Sequence, residues 1–271
     1  MSAVQIGPLV FDIARFAAIL AALVLVVMGG LVEALARRQG RPLHLPLVGA
    51  MLAWVLGARA LHVFENRAVF AGEPLSVLAF WQGGFSVLGG FAGLGLVLLV
   101  VLLRRPATGL ALAGVLTLSA GTGLAVLAFA GAPALALPER AFAALTGPPV
   151  VLSQREGRPL VLNLWASWCP PCRREMPMMM ELAAAHPGVD VIFANQGEDR
   201  GRIEDFLDLE GLAGAGIVLD SDSALMRELG AIGLPTTLFF DAEGRVSARV
   251  TGELSRAAML SGMRAAGGDV E

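Results

Sequence analysis

The chain has 271 residues, of which 56% are hydrophobic and only 16% charged, and its mean hydropathy is +0.70. Soluble globular proteins are about 45–50% apolar and about 25% charged, so a wholly soluble chain is excluded and part of it belongs in lipid. A net charge of −3 and an isoelectric point near 5.7 give no global electrostatic case for a nucleic-acid partner.

Charges are sparse over residues 16–137 and interspersed from Glu139 onward. The chain therefore reads as an all-α membrane unit (1–132), a linker (133–149) and a globular domain (150–271). Crossing a bilayer takes roughly 20 apolar residues. Stretches 10–32, 45–64, 85–103 and 107–130 meet that length, which predicts about four transmembrane helices. Arg37, Arg38 and Arg41 fall between the first two spans, and Arg104 and Arg105 between the last two. Basic loops stay on the cytoplasmic side, so the N-terminus, residues 65–84 and everything after 130 are expected outside. The basic residues of the first span follow its apolar run instead of preceding it, so a retained helix is expected and not a cleaved leader.

The stretch "FWQGGFSVLGGFAGLG" (80–95) has the small residues that let helices pack closely. Together with "GAR" (57–59) it also resembles the N-terminal part of prolipoprotein diacylglyceryl transferases. Leu88 stands where that family has a histidine, and the later arginine-bearing half is missing, so transferase activity is not expected. What the resemblance implies is lipid contact, or a reused helical scaffold, at Arg59, Trp81, Gly83 and Gly84.

In the second half, "ALALPERAFAALTGPP" (134–149) reads as a proline-broken tether. Apolar runs at "PLVLNLWAS", "VDVIFAN", "GIVLD" and "TTLFF" read as strands, and "RVSARVTG" follows "TTLFF" across a "DAEG" hairpin turn. Helical segments are predicted over 170–185, with a kink at Pro177, and over 202–210, 223–229 and 255–265. Strands alternating with helices and ending in a hairpin predict an α/β domain with a mixed central sheet flanked by helices.

Both cysteines of the chain, Cys169 and Cys172, lie in "WASWCPPCRREMP" (165–177). Two cysteines allow one disulfide and no four-cysteine metal site, and the three histidines (His44, His62, His186) are scattered, so no metal is expected. Two-residue spacing closes too small a loop for a useful structural staple. A redox role remains. Cys169 opens a helix, where exposed N–H groups and the helix dipole favour a thiolate; Pro170 suits the first helical position. Cys172 lies behind it on the same face, so Cys169 is the expected nucleophile and Cys172 the resolving thiol. Trp168 and Trp165 are placed to cap the redox turn, with core packing equally open for Trp165. Arg173, Arg174 and Glu175 read as a solvated helix face, and "MPMMM" as either helix core or an adaptable docking surface.

"LVLNLWASWCPPCRREMP", "ANQGED", "GLPTTLFFDAEGRV" and "TGEL" together resemble the membrane-anchored, thioredoxin-like TlpA/ResA/CcmG-type disulfide reductases over residues 138–268. That resemblance implies a cis peptide at Pro235, with Leu234 offering its backbone to a cysteine-bearing client and Thr236 beside it. Thioredoxin has a buried aspartate where this chain has Asn163, and the resemblance points to Glu198 as the acid that serves Cys172. It further implies no cofactor beyond the Cys169–Cys172 pair, client proteins of the cytochrome or copper-protein maturation type, and a bacterial inner-membrane location with the domain in the periplasm. The membrane half has no cysteine, so electrons are expected from a separate membrane thiol reductase. An oxidant or isomerase of the same fold, and a lipid- or lipoprotein-binding scaffold that positions a redox domain, are the alternatives; a peroxidase is disfavoured.

Overall fold

The structure, a computed structural model, describes residues 3–6, 9–72, 74–80, 84–130, 135–154 and 157–270. It opens with an antiparallel hairpin, β1 (Ala3–Ile6) and β2 (Leu9–Asp12), which leads into α1 (Ile13–Arg38). The first apolar helix thus starts later than the hydropathy alone implies and runs past residue 32 to its basic end. Next come α2 (Leu47–Glu65), a short α3 (Arg67–Gly72) and a 3-10 turn (Pro74–Leu78) in what the sequence reads as loop. The helices α4 (Val87–Arg104) and α5 (Pro106–Ala130) complete this half. Four of these helices are long and apolar enough to cross a membrane.

Within this half, α2 packs on α4, α1 on α5 and α4 on α5. The α2–α4 seam is made of small residues. A Cβ at Gly57 would lie 2.4 Å from the Gly89 carbonyl oxygen, and one at Gly93 would lie 2.1 Å from that of Ala53. Only glycine lets the two backbones approach this closely, the reason small residues gather at such interfaces. Leu25, Leu45, Leu112 and Val115 form an apolar cluster, and the Ser119 hydroxyl ties α5 to α1 by donating to the Ala21 carbonyl at 2.7 Å.

The second compact unit includes residues 135–154 and 157–270. Its elements are β3 (Ala141–Phe142), β4 (Val150–Val151), β5 (Leu160–Trp165), α6 (Pro170–Ala185), β6 (Asp190–Gln196), α7 (Arg200–Glu210), β7 (Ile217–Asp220), α8 (Ala224–Glu228), β8 (Thr236–Phe240), β9 (Val246–Thr251) and α9 (Arg256–Ala265). The central sheet has the order β7-β6-β5-β8-β9, parallel through β5, β6 and β7 and antiparallel at β8 and β9. This is a mixed sheet flanked by helices, the thioredoxin-like architecture. All six residues of β5 are buried, as expected of a central strand covered on both faces. Helix α6 runs unbroken through Pro177, which is exposed.

One boundary is corrected. Much of the stretch expected as linker is folded into the domain: β3 pairs with β4, and the Leu145 N–H donates to the Ile217 carbonyl at 2.9 Å. Leu137 and Phe142 sit in the core with Leu162 and Val218. The prolines read as breakers, but the apolar residues between them cover the open edge of β7, where unpaired backbone groups need partners.

The α2–α4 seam is testable. Gly93→Val should cost about 1–3 kcal/mol, the usual range for overpacking, and lower the thermal stability of the detergent-solubilised protein. Gly95→Val, where no atom lies within 4 Å of the added Cβ, should leave the melting temperature nearly unchanged.

Candidate redox site

The site grows from the end of β5. After Trp165 the chain leaves the sheet and turns through Ala166–Ser167–Trp168 into α6, whose N-cap is Cys169. The first two helical positions are Pro170 and Pro171, which have no N–H to offer. The first amide donor of the helix is therefore that of Cys172, and it donates to the Cys169 Sγ at 3.3 Å. The two cysteines form a disulfide with Cα atoms 5.3 Å apart. Cys169 is 3% exposed and Cys172 fully buried. The resolving position is thus shielded behind the one expected to attack.

Beside them stand an exposed Trp168, at 62%, and an exposed Pro170. Trp165 is wholly buried, with its ring 5.4 Å from that of Phe206, so packing under the turn is its role.

Strand register brings the other residues to the same end of the sheet. Leu164 pairs with Thr236, so Pro235 follows beside Trp165, across from the redox turn. The Leu234–Pro235 peptide is cis. Leu234 is half-buried, whereas Thr236 is fully buried and its hydroxyl donates to the Gly233 carbonyl at 2.7 Å. The Thr236 side chain therefore braces the turn before Pro235.

On the other flank Trp165 pairs with Asn195, which brings Glu198 alongside. Glu198 is buried, with both oxygens engaged. Oε2 accepts from the Ser167 N–H and from Asn195 Nδ2, each at 2.7 Å, and Oε1 accepts from the Ser167 hydroxyl at 2.5 Å. Arg202 Nε lies 3.4 Å from Oε1.

A second buried carboxyl is Glu175, one helical turn after Cys172. The sequence reading put it on a solvated face; the structure buries it, at 3% exposure. It accepts from Asn163 Nδ2 at 3.0 Å and from the Leu254 N–H at 2.7 Å, and Asn163 Nδ2 also donates to Thr237. Burial pushes its pKa up to about 7, against the lowering effect of these two hydrogen bonds. The signal was present in the spacing: residues 172, 175, 176, 179 and 182 follow the i, i+3, i+4, i+7 pattern and are all buried. A glutamate on that stripe belongs inside. Met176 and Met179 are core for the same reason, whereas Arg173 and Arg174 are exposed and pair with Glu210 and Glu253.

In the membrane half, Arg59 is buried. Its guanidinium donates to the carbonyls of Ser76, Val77 and Gly84 at 2.7, 3.0 and 3.0 Å, and it lies over the Phe70 and Phe85 rings. It ties α2 to the segment that follows. Gly84, at φ +81°, packs so closely that a Cβ would lie 2.6 Å from His62 Nε2. Trp81 and Gly83 lie outside the described residues.

A dithiol–disulfide pair at a helix N-terminus, on a thioredoxin-like sheet beside a cis-proline, defines a thioredoxin-class redox site. Comparison with known proteins agrees: residues 130–266 match the Redoxin family, and the chain belongs to it. Residues 2–129 match prolipoprotein diacylglyceryl transferase. A thiol-disulfide oxidoreductase ResA from Geobacillus thermodenitrificans is 36% identical over 123 residues, 41% of this chain and 70% of that one. A thiol:disulfide interchange protein DsbE from Escherichia coli K12 is 35% identical over 100 residues, 37% of this chain and 53% of that one. The chain thus spans little more than half the length of the second of these relatives. A solved thioredoxin-family thiol:disulfide interchange protein from Chlorobium tepidum TLS is 25% identical, with a TM-score of 0.43 over 50% of this chain and 98% of that one.

The Glu175 carboxyl makes stability pH-dependent. Its unfolded value is 4.5 and its folded value about 7, so between these the folded state holds the extra proton and stability falls as pH rises. The loss is complete above pH 7 and amounts to at most about 3 kcal/mol. Glu175→Gln cannot ionise, and should flatten the fall in melting temperature between pH 5 and 8 that the unmodified protein shows.

Proposed function

We propose that the chain is a membrane-anchored thiol-disulfide reductase whose redox domain works outside the cytoplasm, in the bacterial periplasm. The observation that carries this reading is the Cys169 sulfur at the head of α6, with Cys172 buried behind it. The Cys169 thiolate attacks a client disulfide, forming a mixed disulfide and releasing one client thiolate. Cys172 then attacks the Cys169 sulfur, closing the internal disulfide and releasing the second client thiolate. Two electrons pass from the dithiol to the client. Glu175, one turn from Cys172 and with a pKa near neutrality, is the group we assign to take the Cys172 proton.

The proline-rich turn favours the reducing direction. A thiolate at Cys169 has one amide donor where other turns offer more, and a less stabilised thiolate makes the dithiol a better reductant. Trp168 and Pro170 form an apolar margin against which a client peptide lies, and the Leu234 backbone beside Pro235 offers it hydrogen-bonding groups. The clients proposed are thiol proteins of cytochrome or copper-protein maturation. The cysteine-free membrane half acts as a multi-pass anchor in the inner membrane, and a separate membrane thiol reductase returns the electrons.

In cell membranes, Cys172→Ser should accumulate mixed disulfides on Cys169, about tenfold or more above the unmodified protein, because the resolving attack is lost. Cys169→Ser should accumulate none. Adducts on Cys172 in the Cys169→Ser variant, with none in the reverse case, would contradict the assignment.

A further inference from the structure

Glu198 is buried beside the redox turn, and the proton transfer proposed above does not use it. All its contacts are to donors: the Ser167 N–H, the Ser167 hydroxyl, the Asn195 amide and the Arg202 guanidinium. That is the set an ionised carboxylate takes. Two of the four come from Ser167, two residues before Cys169, so the carboxylate grips the turn at the point where the chain leaves β5. It has two consequences. The Ser167 N–H and hydroxyl are directed to Glu198 and so are withheld from the sulfur. A negative charge is also held on the turn two residues before Cys169, in buried surroundings that screen poorly. The one cation on Glu198, Arg202, has a side chain 66% exposed, so solvent weakens its compensation.

We propose that Glu198 is a positioning residue that locks Ser167 into the redox turn and, through its charge, holds the Cys169–Cys172 couple on the reducing side. The inference rests on the dithiol function argued above and adds a cause for its direction. A charge that opposes the Cys169 thiolate destabilises the reduced, thiolate-bearing form, and a couple whose reduced form is less stable is the stronger reductant. On α6 the charged groups that follow the pair are Arg173, Arg174 and Glu175. Arg173 is engaged by Glu210, Arg174 by Glu253, and Glu175 lies on the Cys172 side.

The test uses the full chain in detergent micelles, equilibrated against glutathione redox buffers, with Cys169 alkylation by iodoacetamide followed across pH. Glu198→Gln keeps the shape and removes the charge. It should move the equilibrium toward the dithiol by about tenfold, or about 30 mV for a two-electron couple, and shift the alkylation profile to lower pH. Ser167→Ala keeps the charge and loses one tether, and should shift the equilibrium less than half as far. An unchanged or more reducing Glu198→Gln couple overturns the inference, as does an equal shift in Ser167→Ala, which would assign the effect to turn shape alone. If the unmodified protein exchanges no thiols with glutathione, the dithiol function itself fails, and that result is distinct from either outcome.

Discussion

The Cys172 amide, the first N–H that α6 offers, donates to the Cys169 sulfur at 3.3 Å, while the next, that of Arg173, goes to the Cys169 carbonyl. Pro170 and Pro171 are well suited to the first helical positions, yet each removes a donor there. The same two residues thus start the helix firmly and leave the sulfur with one backbone donor. Everything else at the site is arranged around that atom. Cys172 is buried where it can attack only the sulfur in front of it. The end of β5 aims the turn, and β6 and β8 bring Glu198 and Pro235 to it from opposite sides.

Two buried glutamates flank the pair, and their partners set them apart. Glu175 accepts hydrogen bonds from an amide side chain and one backbone N–H, and burial raises its pKa to about 7, which suits a group that gains and loses a proton near neutral pH. Glu198 is surrounded by donors and held to Ser167 at two points, which suits a fixed charge. The buried aspartate of thioredoxin has no counterpart at Asn163. That residue instead links Glu175 to Thr237, so the acid stands on the helix and the strand supplies its amide support.

Much of this was legible in the sequence. Four apolar stretches, the strand–helix alternation, the cysteine spacing and "GLPTT" each announce their element by composition or by a turn residue. What escaped depended on contacts between segments far apart in the chain. Glu175 looked solvent-facing because its neighbours Arg173 and Arg174 are charged, although its place on the Cys172 stripe already put it inside. The segment around Phe142 looked like a tether because prolines flank it, and only the open edge of β7 shows why it folds. Thr236 stands beside Pro235, and only its burial shows that its hydroxyl works on Gly233. The Glu198–Ser167 grip spans 31 residues and leaves no local mark.

The helical first half follows simpler rules. Glycines let α2 and α4 touch, and Arg59 closes over the segment beyond α2 by giving its donors to backbone carbonyls. This half holds no cysteine; both thiols of the chain, Cys169 and Cys172, lie in the second unit. A pair poised to give electrons away has a low standard potential. Titrated in redox buffers, the 271-residue chain should show a value more negative than about −180 mV; a value close to about −120 mV, that of a strong dithiol oxidant, would refute the proposed reducing role.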